Sequence, residues 1–148
     1  MDRRRIFTAA AAGLAGIASA FTARGANAQA EQAARAQKAV YHVADADKAH
    51  FTLGNLRNHL DGAPGVRLAV VVHGPALNAF RATTLNPDFR QAMREAVAAG
   101  VAFHACGRTM AAMKLAPGDL LPGFEVAAQG GVVLLADLQA QGWAYLRP

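Results

Sequence analysis

Cys106 is the only cysteine in the 148 residues, and it closes the apolar stretch Val101 to Cys106 just before Gly107-Arg108-Thr109. A strand that ends at a cysteine and runs into a short helix directs backbone amides toward the sulfur. Arg108 adds a positive charge, and both favour the thiolate, which is the nucleophilic form. A cysteine buried as a small hydrophobe competes on equal terms by position alone. Gly107 tips the balance toward chemistry, because a residue without a side chain lets a ligand or a partner sulfur come close. His104 lies two residues before Cys106 and shares its strand face if the strand is regular. His73 ends another apolar run. His73, His104 and Cys106 thus offer either a base beside a thiol or nitrogen and sulfur ligands for copper or zinc. The spacing matches no recognised metal signature, and each histidine alone is more simply a hydrogen-bonding residue at a sheet edge.

The remaining polar residues read more plainly. His42 falls inside the first strand and His50 and His59 on the helix after it, as packing or surface residues. Asp45 and Asp47 need not converge, and Asp45 before a helix is a cap or turn residue. Gly74-Pro75 lacks the glycine spacing of a phosphate-binding loop, so nucleotide binding is disfavoured. Met110 and Met113 pack the short helix after Cys106, although thioethers near a thiol suit copper. Trp143 and Tyr145 alternate on the last strand as core or subunit contacts.

The elements that must position these residues follow from periodicity. Short strand patterns fall at 39–44, 66–73, 101–106, 124–127 and 143–146, and the almost continuous run Leu68-Ala69-Val70-Val71-Val72 suits a strand buried on both faces of a parallel sheet. Between them, Ala49, Leu53, Leu56 and Leu60 recur at helical spacing. A short helix opens at Pro75, carrying Leu77 and Phe80. Asn86-Pro87-Asp88 opens another, which buries Phe89, Met93, Ala96 and Val97 and closes at Gly100. Further helices are expected at 108–114 and 132–141. Five strands alternating with helices predict a single α/β domain, a mainly parallel sheet with helices on both faces. Ligands of such sheets collect beyond the carboxyl ends of the strands, where Asp45 to Lys48, His73 to Pro75 and Cys106 to Thr109 fall.

The chain begins with Arg3-Arg4-Arg5, an alanine-rich apolar stretch from Ala9 to Phe21, and the small-residue cleavage site Ala26-Asn27-Ala28. These are the parts of a secretory signal, and Arg4-Arg5-Ile6-Phe7 looks like the twin-arginine type. Residues 1–28 are expected to be that signal, 29–37 a flexible arm, and 38–148 the domain. The apolar stretch is too short and too weakly hydrophobic to remain as a spanning anchor. A periplasmic destination follows. Arg3, Arg4, Arg5 and Arg24 against Asp2 give that segment +3, so only +2 of the chain's +5 stays with the mature protein. With no basic run, no nucleic-acid partner is expected. One cysteine allows no disulfide within the chain, which sharpens the question of what Cys106 does in an oxidising compartment.

From about Lys38 to Pro148 the sequence resembles the DsrE/DsrF-like family, and in particular an exported single-domain branch of it. The resemblance is carried by Tyr41-His42-Val43 with Asp45-Ala46-Asp47-Lys48, by Asn55 to Leu60, by Val71-Val72-His73-Gly74-Pro75, and by Phe103-His104-Ala105-Cys106-Gly107-Arg108-Thr109-Met110. Asp119 to Gly123 and Gly142 to Pro148 complete it. The resemblance implies a five-stranded, mainly parallel sheet that assembles as trimers or hexamers. It also implies a persulfide-carrying cysteine at Cys106, the one residue whose role transfers. The leading expectation is a sulfur carrier or sulfurtransferase-like protein that takes sulfur from a sulfane donor and passes it to a thiol acceptor. Cys106 is then the nucleophile, Arg108 the thiolate-stabilising charge, and His104 or His73 a proton relay. No cofactor is expected. The rival is a non-enzymatic copper- or zinc-binding protein using His73, His104 and Cys106, or one that only self-assembles.

Overall fold

The computed structural model describes residues 37–148, so the expected signal segment and almost all of the expected arm lie outside it. Five strands form one sheet: β1 (Lys38–Val43), β2 (Arg67–Val72), β3 (Ala102–Cys106), β4 (Phe124–Ala127) and β5 (Ala144–Leu146). Their order is β4-β3-β2-β1-β5 and every pairing is parallel. The α-helices are α1 (Ala49–Gly62), α2 (Pro87–Ala98), α3 (Gly107–Ala112) and α4 (Gly131–Ala140). Among the described residues no helix is long and apolar enough to cross a membrane.

Chain direction decides which face each helix covers. From β1 to β4 the strands step one place at a time toward one edge, whereas the last crossover returns past three strands to lie beside β1. Right-handed crossovers then place α4 on the face opposite the earlier helices. The packing agrees. Tyr41, Val43, Val70, Val72 and Phe103 meet Leu53, Leu56, Phe89 and Met93 in the larger core. Val40, Ala69 and Val71, one residue out of phase along the same strands, meet Leu135 and Leu138 of α4 in the smaller one. Leu68 to Val72 are all buried, as their unbroken apolar run requires. Phe80 anchors the larger core, with ring centroids 5.2 Å from Phe89 and 5.4 Å from Phe124.

Two local features sharpen the sequence expectation. The short helix opened at Pro75 is a 3-10 helix, Gly74–Phe80. Leu77 and Phe80 lie three residues apart, which the tighter helix stacks on one side, and both are fully buried. Asp45 is the turn residue, its carbonyl accepting from the Lys48 N–H at 3.2 Å; its side chain makes no cap, and its carboxylate faces Arg147 at 3.6 Å. Asn86 does cap α2, its side chain accepting from the Asp88 and Phe89 amides at 3.0 Å each. Asn86→Ala is expected to cost about 1 kcal/mol, read as a lower urea midpoint with an unchanged slope.

Candidate functional site

The register gathers the polar residues on the α4 face at the carboxyl edge of the sheet. His42 pairs with Val71, Val71 with His104, and His104 with Glu125, so these four side chains form one row across neighbouring strands. Two residues further along β3 comes Cys106, paired with Ala127, and two residues beyond Val71 comes His73, in extended backbone. The amino end of α4 closes over this place. A Cβ added at Gly131 would lie 3.2 Å from the Cys106 Cβ and 3.5 Å from the His73 Cβ, so both side chains root beside that glycine.

Cys106 is 6% exposed and occupies the N-cap position of α3. Burial opposes ionisation and would push the thiol up. Against it stand the Thr109 hydroxyl and the backbone N–H groups of Gly131, Thr109 and Arg108, and together they hold the thiol below its ordinary value. Thr109 Oγ1 already accepts from the Gly74 N–H at 3.1 Å, so its own proton is free to point at sulfur. The sulfur makes no cap hydrogen bond at this helix start, so these groups act as nearby donors that favour the charged form, the better acceptor.

Several expectations change here. Arg108 adds its amide to these donors; its side-chain Nε donates to the Gln129 carbonyl at 3.4 Å, and its stem packs against Gly130. Gly107 serves packing rather than access, because a Cβ there would meet the Ala127 carbonyl at 3.0 Å and Val126 at 3.2 Å. His104 shares the face of Cys106, but its Nδ1 lies 3.7 Å from Glu125 Oε2; burial lowers its pKa, and Glu125 partly restores it. Among the described residues no three His, Cys, Asp or Glu side chains converge as a metal site, so His73, His104 and Cys106 are not gathered as a ligand set. His50 against Phe89 and His59 against Tyr41 are packing residues, as expected.

Four contributors escaped the sequence reading. Gly131 and Thr109 are the donors just described. His42 and Tyr145 join the row: Tyr145 Oη is 2.5 Å from His42 Nδ1, and His42 Nε2 is 2.5 Å from His73 Nε2. The alternation of β1 was a usable signal for His42, since it shares a face with Val40. Nothing local reveals that β5 lies beside β1, which is what brings Tyr145 in.

The sequence matches the DsrE/DsrF-like family over residues 14–148. The chain belongs to that family. It is a family associated with sulfur relay. A protein of unknown function from Methanobacterium thermoautotrophicum is similar in structure, with a TM-score of 0.69 and 30% identity over 76% of this chain and 99% of that one. The ychN protein from E. coli shares the fold, with a TM-score of 0.64 and 18% identity over the same shares. No curated protein matches the chain.

Thr109→Val removes one donor to the thiolate and keeps the shape. The thiol pKa should rise, so less thiolate is present at any pH below it. Alkylation of Cys106 at neutral pH is expected to slow roughly fivefold, the worth of one hydrogen bond of about 1 kcal/mol, with the midpoint of the pH–rate curve displaced upward.

Proposed function

We propose that this DsrE/DsrF-like protein is an exported sulfur carrier that holds sulfur as a persulfide on Cys106. The observation that carries the reading is a lone thiol buried at the N-cap of α3 with the amino end of α4 packed against it, where the Thr109 hydroxyl and the Gly131, Thr109 and Arg108 amides hold its pKa down. They favour thiolate without supplying a second cysteine, so the bound sulfur cannot be expelled by an internal disulfide. The step is an exchange. The Cys106 thiolate attacks the outer sulfur of a persulfide or polysulfide, a bond forms between the two sulfurs, and the donor's own S–S bond breaks. The donor leaves as a thiolate and takes up the proton that Cys106 released. No electrons are lost or gained overall, and the reverse exchange passes the sulfur to an acceptor thiol.

Export by the twin-arginine route belongs to the same proposal, supported by Arg4-Arg5 and the small-residue site at Ala26 to Ala28. So does assembly as a trimer or hexamer. Helix α4 is apolar nearly all round, as a buried helix is, yet its Val132 and Val133 are exposed.

The test is the intact mass of mature protein before and after polysulfide, with Cys106→Ser alongside. A gain of one or more sulfur atoms that is absent from the variant and removed by a thiol reductant is expected. No gain in folded wild-type protein overturns the reading. For assembly, light scattering should give three or six times the chain mass, and Val132→Glu with Val133→Glu should return the monomer.

A further inference from the structure

His42 and His73 occupy a face on which Val40 and Val71 pack against α4, where apolar residues would serve packing better. Their rings are inclined by only 17° with centroids 4.6 Å apart, while the facing Nε2 atoms are 2.5 Å apart. Rings this far apart with nitrogens this close meet edge to edge, not face to face. Such an approach requires one proton between the two nitrogens. If neither carried one, two lone pairs would face each other, and if both did, two N–H groups would collide. His42 Nδ1 is in turn engaged by the Tyr145 hydroxyl, and Tyr145 is 39% exposed on the outermost strand. At the other end His73 roots beside Cys106, both flanking Gly131.

We propose that His73, His42 and Tyr145 form a proton relay that takes the Cys106 thiol proton inward-to-outward and returns it when a leaving thiolate needs one. This deepens the sulfur-carrier reading and rests on Cys106 acting as a thiolate. The proton of the Cys106 S–H goes to the free nitrogen of His73, and the His73 Nε2 proton goes to His42 Nε2. The His42 Nδ1 proton then goes to the Tyr145 oxygen, whose own proton goes to water. Each group ends with as many protons as it began, one proton has left the sulfur, and no electron has moved. Other charged groups facing the pair are Asp45 and Arg147, whose mutual ion pair at 3.6 Å leaves little net charge at His42.

The experiment follows thiolate formation by its ultraviolet absorbance after a temperature jump in full-length mature wild type, His73→Gln, His42→Gln and Tyr145→Phe, with His50→Gln as a packing control. Imidazole nitrogens are followed by NMR in the same samples. In wild type one proton should be shared between the His42 and His73 Nε2 atoms. His73→Gln and His42→Gln should form thiolate about tenfold more slowly, Tyr145→Phe should change the His42 tautomer, and His50→Gln should change neither. Nitrogen signals with no proton shared between the two rings overturn the relay. So does an unchanged rate of thiolate formation in His73→Gln and Tyr145→Phe whose thermal melts match wild type. One equivalent of zinc or copper held by wild type and lost from His42→Gln overturns it as well, since the facing nitrogens would then be ligands. None of these readouts uses a sulfur donor. A relay that behaves as stated in a protein that gains no sulfur mass separates failure of the carrier reading from failure of the relay.

Discussion

The carboxyl edge of this sheet depends on how closely the amino end of α4 approaches β3. Gly131 lies against Val71, Cys106 and His73 at distances that leave no room for a side chain, the nearest Val71 and Cys106 atoms being 3.1 and 3.2 Å from where a Cβ would sit. Because the backbone comes in that far, an amide at a helix terminus is delivered to a sulfur that water hardly reaches. Moved outward by the size of a methyl group, the same helix would take the Gly131 amide from the sulfur and leave only the donors of α3 to oppose the effect of burial. The glycine pair Gly130-Gly131 is what the turn and the approach both need, since Gly130 also adopts a positive φ of 107°.

That approach follows from topology. The return crossover to β5 sets α4 on its own side of the sheet, and the reversal places β5 beside β1 at the switch in strand order. Three chain segments far apart in sequence, around His42, His73 and Tyr145, meet there in one line. The thiol-supporting donors come from α3 and α4, with the Gly74 N–H holding the Thr109 hydroxyl in place. Cys106 and His73 both root beside Gly131, which sets the electrostatic cradle next to the inner end of the histidine line.

Much of this was legible in the sequence where the signal is local. The unbroken run Leu68 to Val72 marked a doubly covered strand, Asn86-Pro87-Asp88 marked a helix start, and the alternation through His104 and Cys106 marked a shared face. Local pattern carries no information about which strands are neighbours, so the contacts of His42 with His73 and Tyr145 were out of its reach. Chemistry inferred from residue type also misread Gly107, which looked like an opening although β4 fills the space above it. The Arg108 side chain packs on Gly130 and donates to Gln129, and its amide is the part that acts on the thiol. The donors that do reach sulfur are mostly amides, and a backbone amide has no signature in a sequence.

The last strand is three residues long, lies at an edge, and has all three residues exposed. It pairs with β1 through Ala144, Tyr145 and Leu146 alone. Elements with so few buried contacts open locally at far lower free energy than the whole domain unfolds. Each such fraying detaches the Tyr145 hydroxyl from His42 while the sheet behind it, and the thiol within it, stay closed. The amides of β5 should therefore exchange with solvent well ahead of those of β2, and the outer end of the histidine line is the part of the site that a neighbouring molecule pressing on this edge would steady.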